Sequence, residues 1–91
     1  MTVRVVLPMS LRQFAGGNST VDVDGATVPA ALADLVEKFT ELRPFMVDDA
    51  GHPLGYLNLF VNEKGVASSA LNDVTLSDGD ELLVVSAIAG G

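Results

Sequence analysis

The sequence predicts an α+β domain, a mixed sheet of four to five strands with one main helix packed on one face. Three observations lead there. Only one stretch, residues 28–39, repeats its apolar residues at the period of a helix. Alternating or β-branched segments lie in pairs on either side of that stretch. With 91 residues, 48% of them apolar, and no cysteine, the chain has material for one core and must hold it without disulfides. One helix between two strand pairs is the mark of an α+β layer packing.

Taken in order, Val3, Val5 and Leu7 alternate with Arg4 and Val6, giving a first strand that ends at Pro8. Leu11 to Asn18 reads as a loop, with Gly16 and Gly17 placed where positive φ is needed. Val21 and Val23, set between Thr20, Asp22 and Asp24, form a second strand with one buried face, and Gly25 breaks it. Thr27 is the expected N-cap of the helix, and Pro29 suits its first turn, where a missing N–H costs little. Val28, Ala31, Leu32, Leu35, Val36 and Phe39 then recur at i, i+3, i+4, i+7, i+8 and i+11, leaving Asp34, Glu37 and Lys38 on the solvent side. Leu42, Phe45 and Met46 fit one short helical turn that plugs an end of the core, and Asp48 to Pro53 reads as exposed loop.

Leu57, Leu59 and Val61 alternate with Asn58, Phe60 and Asn62 as a third strand. Asn62-Glu63-Lys64-Gly65 is expected to turn into a short edge at Val66-Ala67. Val74 and Leu76 anchor the next crossing before the Ser77-Asp78-Gly79-Asp80 turn, and Leu82 to Val85 form the last strand. That order is the outline of a β-grasp, or ubiquitin-like, fold. Residues 1–91 read as one such domain with a flexible Gly-Gly tail at about 87–91, without repeat, linker or low-complexity segment.

Composition narrows the function. The net charge is −7 against five basic residues, which disfavours nucleic acid and anionic membranes and favours basic protein partners, although solubility alone would account for the same acidity. No apolar run is long enough for a bilayer and the N-terminus lacks a leader pattern, so a cytoplasmic place is expected. Without cysteine there is no thiolate metal site, no Cys nucleophile and no iron–sulfur cluster. His52 lies near Asp48 and Asp49, but the spacing matches no metal pattern, so no metal site is assigned. Gly16-Gly17 lacks the lysine of a P-loop, and Asp78-Gly79-Asp80 lacks the remaining ligands of a calcium loop; both read as turns. No acid, base and nucleophile converge, and the chain is not expected to be an enzyme in its own right.

Two features remain. If Leu57, Leu59, Val61, Leu82 and Val84 face the helix, then Phe60, Leu83 and Val85 face away on neighbouring strands, where alternation would ordinarily leave a polar face. Such a cluster reads as a docking surface for a partner protein, unless the Leu42 to Leu54 segment or a dimer contact covers it. The last strand also runs into Ala87-Ile88-Ala89-Gly90-Gly91. Lacking Cβ atoms, Gly90 and Gly91 form a tail thin enough to carry the Gly91 carboxylate through a narrow channel to a reactive phosphate.

Phe60-Val61-Asn62-Glu63, Leu76-Ser77-Asp78-Gly79-Asp80-Glu81 and Ile88-Ala89-Gly90-Gly91 together resemble the ThiS/MoaD family of sulfur carrier proteins, over nearly the whole chain. Length and the Leu11 to Gly17 loop look more like the MoaD and CysO branch, and the absence of a Pro-Pro tail points to CysO. The resemblance implies that an E1-like adenylating enzyme of the MoeB/ThiF type uses ATP to adenylate Gly91, and that a sulfur donor then displaces AMP to leave a thiocarboxylate. A downstream sulfur-accepting enzyme takes the sulfur for cysteine or a sulfur-containing metabolite. It also implies that Ile88, Ala89 and Gly90 thread the partner's channel, that Phe60, Leu83 and Val85 lie on the docking face, and that the carrier binds no cofactor and is monomeric when free. Alternatives within the same resemblance are a ubiquitin-like modifier joined through Gly91 to lysines and the small subunit of molybdopterin synthase.

Overall fold

The computed structural model describes residues 2–54, 57–66 and 73–86. The strands β1 (Thr2–Val6), β2 (Thr20–Asp24), β3 (Leu57–Val61), β4 (Lys64–Val66) and β5 (Glu81–Ser86) form one mixed sheet in the order β2-β1-β5-β3-β4. β1 pairs antiparallel with β2 and β3 pairs antiparallel with β4. Between these two hairpins runs β5, parallel to β1 and antiparallel to β3. This is the β-grasp arrangement, with the last strand at the centre of the sheet.

The main helix α2 (Val28–Lys38) crosses one face of the sheet and buries Val28, Ala31, Leu32, Leu35 and Val36. From the sheet side Val3, Val5, Val21, Val23, Leu57, Leu59, Leu82 and Val84 meet them. The helix begins as its sequence requires: Thr27 accepts a hydrogen bond from the Ala30 N–H at 3.3 Å, and Pro29 occupies the first turn. Gly25 makes the entry from β2 sterically possible, because a Cβ there would lie 2.5 Å from the Ala31 nitrogen and 2.7 Å from its Cα.

Several expectations are corrected. Residues 9–15 are helical, not loop: α1 (Met9–Arg12) runs into a 3-10 turn (Gln13–Ala15) that buries Leu11 and Ala15. Neither piece has a side-chain cap, and each is too short to show a periodic stripe. Gly16 and Gly17, at φ 65° and 83°, end the run in the left-handed conformation expected of them. The turn expected over residues 62–65 is only Asn62 and Glu63, with φ 49° and 75°, and Lys64 and Gly65 already belong to β4. Positive φ at both central residues is what a two-residue hairpin needs to match the twist of its strands.

After α2, a 3-10 turn (Thr40–Leu42) leads into α3 (Arg43–Met46), and Leu42 and Met46 are fully buried as the expected plug. Phe45 departs from that expectation: it is 36% exposed and stacks on Phe14 with ring centroids 4.8 Å apart. Asp34 and Lys38 do more than face solvent. The Asp34 carboxylate accepts from the Asp24 N–H at 2.8 Å, and Lys38 donates to the Asp22 carbonyl at 3.0 Å while pairing with Asp34 at 3.1 Å. Together they occupy backbone groups on the outer edge of β2, where an unpaired strand would otherwise invite another.

Candidate docking face and carrier tail

On the face away from α2, the register sets side chains in rows across the strands. Leu83 of β5 lies directly between Val6 of β1 and Phe60 of β3, and Val6 has Thr20 of β2 on its other side. Two residues along, Val85 lies opposite Asn58. Val6, Phe60 and Leu83 are half-buried, and Val85 is 37% exposed. The sheet thus brings Phe60 and Leu83 into direct cross-strand contact range with Val85 beside them, and it adds Val6, which sequence reasoning missed. The signal was there, since Val6 sits between the inward residues Val5 and Leu7.

Phe60 is held in place by its neighbour across the hairpin. Its ring carbons lie 3.5 and 3.7 Å from where a Cβ on Gly65 would stand, so the ring lies over the glycine and flattens this part of the face. The Leu42 to Leu54 segment does not cover this face among the described residues. Leu42, Met46 and Val47 join the core on the helix side, and α3 packs on α2 and the Thr40–Leu42 turn.

Two of the three motifs that carried the family resemblance are joined in space. The Asn62 side chain donates to the Asp80 carboxylate at 2.9 Å and accepts from the Glu81 N–H at 3.0 Å, while the Asn62 N–H donates to the Glu81 carbonyl at 2.9 Å. Asp80 also accepts from the Ser77 N–H at 2.8 Å, and Asp78 accepts from the Thr2 N–H at 2.9 Å. The turn therefore clasps the end of β3 and the start of β1 at the point where β5 begins. The Ser77 N–H, followed by the Asn62 amide, holds the Asp80 carboxyl below the ordinary aspartate range. Asp78-Gly79-Asp80 is thus a structural turn, with Gly79 at φ 88°.

Charge is concentrated further along the same face. Asp22, Arg4 and Glu81 form one cross-strand row, with Asp24 beside Thr2 beyond it. Arg4 and Asp22 pair at 3.8 Å and both are exposed. In the loop after α3, one Asp48 oxygen accepts from the N–H groups of His52 and Ala50, each at 2.9 Å, and the His52 ring lies 3.8 Å from the other. The His52 N–H is the main cause of the lowered Asp48 pKa, and the whole arrangement reads as a turn built by Asp48. Among the described residues no three metal-ligating side chains cluster, and no helix is long and apolar enough to cross a membrane.

β5 leads the chain out at the end of the sheet where β3 begins, since Ser86 pairs with Leu57. The expected tail residues Ala87, Ile88, Ala89, Gly90 and Gly91 lie outside the described residues.

The ThiS family model matches residues 5–91. The sulfur carrier protein CysO of Mycobacterium tuberculosis (strain ATCC 25618 / H37Rv) is 30% identical over 93 residues, covering 100% of both chains. Among solved structures, a chain of the Amycolatopsis orientalis BexX/CysO complex superposes with a TM-score of 0.83 at 30% identity, covering 98% of this chain and 99% of that one. SAMP1 from Haloferax volcanii superposes with a TM-score of 0.82 at 30% identity, covering 100% of both.

Proposed function

The chain belongs to the ThiS family, and from that premise we propose that it is a sulfur carrier protein whose reactive group is the Gly91 carboxylate. The observation that carries this reading is the extent of the likeness: it spans the full length of a sulfur carrier, and the family match runs through Gly90 and Gly91.

The chemistry follows from what a carboxylate lacks. It is a poor electrophile because its charge is delocalised over two oxygens and neither is a leaving group. A partner enzyme of the E1-like, MoeB/ThiF type remedies this with ATP: a Gly91 oxygen attacks the α-phosphate, pyrophosphate leaves, and an acyl adenylate results. Sulfide, or a donor delivering it, then attacks the carbonyl carbon and AMP leaves, so that one oxygen of Gly91 is replaced by sulfur. The thiocarboxylate passes to a downstream sulfur-accepting enzyme, as for a CysO-like carrier serving cysteine or a sulfur-containing metabolite. Ile88, Ala89 and Gly90 thread the partner's channel, and Phe60, Leu83 and Val85, now joined by Val6, form the docking face. The carrier is a co-substrate, not a catalyst, and works in the cytoplasm, where ATP is at hand.

The test is to incubate the full chain with an activating enzyme, ATP and sulfide, and to measure its intact mass. Exchange of one oxygen for sulfur, located at Gly91 by fragmentation and absent without ATP, is expected. An unchanged mass under conditions that load a known CysO would overturn the reading.

A second reading is favoured by the likeness to SAMP1, a chain of equal identity and coverage named in another solved structure as small archaeal modifier protein 1. The same acyl adenylate would then deliver Gly91 to a lysine amine. Isopeptide-linked Gly91 on other proteins under native expression distinguishes it from the carrier.

A further inference from the structure

The outer face of the sheet is divided along its strands. The row nearer the point where β5 ends holds Val6, Leu83 and Phe60, extended by Val85. The next row holds Asp22, Arg4 and Glu81. Two residues of strand separate the rows, about 7 Å. Asp78 adds a carboxylate at the turn before β5, and the three acidic residues Asp22, Glu81 and Asp78 line one hollow together with Arg4. Among the described residues Arg4 pairs with Asp22, at 3.8 Å, and one Asp78 oxygen is taken by the Thr2 N–H. The face therefore presents apolar surface toward the C-terminal end of β5 and acidic side chains toward its start, on a chain whose net charge is −7.

We propose that this face docks a protein whose own surface is two-part: apolar where it meets Val6, Leu83, Val85 and Phe60, and cationic, with arginine or lysine side chains, where it meets Asp22, Glu81 and Asp78. This rests on the sulfur-carrier reading for the partner's identity and goes beyond it in stating the partner's chemistry and orientation. An apolar patch alone binds in several rotations. A charged row on one side of it allows only the rotation that sets cations over carboxylates, and that rotation aims the tail into the partner's channel and not across it. The charge also acts before contact, because a long-range field speeds encounter while the apolar row sets how long the complex lasts.

Two measurements test this. In the first, a tetra-arginine peptide is titrated into the full chain and amide shifts are followed by NMR, with tetra-citrulline as the neutral probe of equal shape. Shifts concentrated at Arg4, Asp22, Gly79 and Glu81, absent with citrulline, are expected, and Asp22→Asn with Glu81→Gln should weaken binding about two- to five-fold for each charge removed. Glu37→Gln, which removes the same charge from the helix, should not. Shifts scattered over the acidic surface, or affinity equally lost in Glu37→Gln, would overturn the proposal. In the second, association with the activating enzyme is followed by stopped flow. The Asp22→Asn, Glu81→Gln pair should slow association and flatten its salt dependence, whereas Leu83→Ala should speed dissociation; an unaltered salt dependence would overturn it. If the wild-type chain is never loaded with sulfur, the carrier reading fails, and the peptide titration still decides the nature of the surface.

Discussion

Replacing Asn62 by alanine removes the residue that joins the end of β3 to the start of β5. Two costs can be worked from the geometry. Asn62 sits at φ 49°, a left-handed conformation that asparagine tolerates and alanine resists, at about 1 kcal/mol. Its side-chain oxygen accepts from the Glu81 N–H at 3.0 Å, and losing that bond costs about 1 kcal/mol net. Both bonds are exposed, but the first fixes a backbone N–H at the start of β5, whereas the link to Asp80 joins two side chains that water serves equally well and adds nothing to the sum. Asn62→Ala is therefore expected to lower stability by about 2 kcal/mol, a fall in Tm of roughly 8 to 16 °C for a domain of this size. Asn62→Gly keeps the turn and loses only the hydrogen bond, about 1 kcal/mol. Urea unfolding at unchanged m-value measures both. Sulfur loading of Gly91, at a temperature where both variants are folded, should match the wild type, because Asn62 lies at the opposite end of β5 from the tail. An alanine variant within about 0.5 kcal/mol of wild type, or a glycine variant as unstable as the alanine one, refutes the argument. Loss of loading in a folded variant would make Asn62 a partner contact.

Glu63→Gly relieves the second left-handed position of the same hairpin, φ 75°, and should raise stability by about 0.5 to 1 kcal/mol in the same urea assay. Gly25→Ala should lower it by about 1 to 3 kcal/mol, since the new Cβ meets backbone atoms of Ala31 at 2.5 and 2.7 Å, and backbone cannot rotate aside. Asp34, Asp48 and Asp80 all have folded pKa values below the ordinary 3.8, Asp34 chiefly through the Asp24 N–H. Each therefore contributes stability that is fully present above the unfolded value and lost as pH falls through the lower folded one. Urea midpoints should hold steady from neutrality to about pH 5 and decline below about pH 4, with a shallower decline in Asp34→Asn.

What could be read in the sequence was whatever depends on period alone. The α2 stripe and the alternation in β1, β2 and β3 face a continuous core, so burial writes directly into the residue pattern, and Phe60, Leu83 and Val85 were legible as the opposite phase. Val6 was missed because it stands between two inward residues and was counted as a spacer. The helical turns at 9–15 were missed for a different reason: with only Leu11 and Ala15 buried, four residues apart, there is no stripe to see. The roles of Asp34 and Lys38 at the edge of β2 depend on contacts ten and sixteen residues away, which no local pattern records. Equally, the Asn62 and Asp80 motifs could be noticed as family marks, but their physical cause, a clasp across eighteen residues of chain, appears only in three dimensions.

The placement of β5 bears on how a tail of this kind can be used. Under the proposed function, a partner that takes hold of residues 87–91 pulls on the strand to which they are attached. An edge strand would answer by peeling, because only one ladder of hydrogen bonds holds it. β5 is bonded on both sides, to β1 over Arg4–Val6 and to β3 over Leu57–Val61, and its first residue is held by the Asn62 carboxamide. Peeling it would break two ladders and expose the fully buried Leu82 and Val84, a cost of several kcal/mol in lost burial alone. On the proposed reading, putting the last strand at the centre of the sheet would let the segment after Ser86 be engaged without unravelling the domain, and would keep the outer-face rows of β1, β3 and β5 in register while that happens.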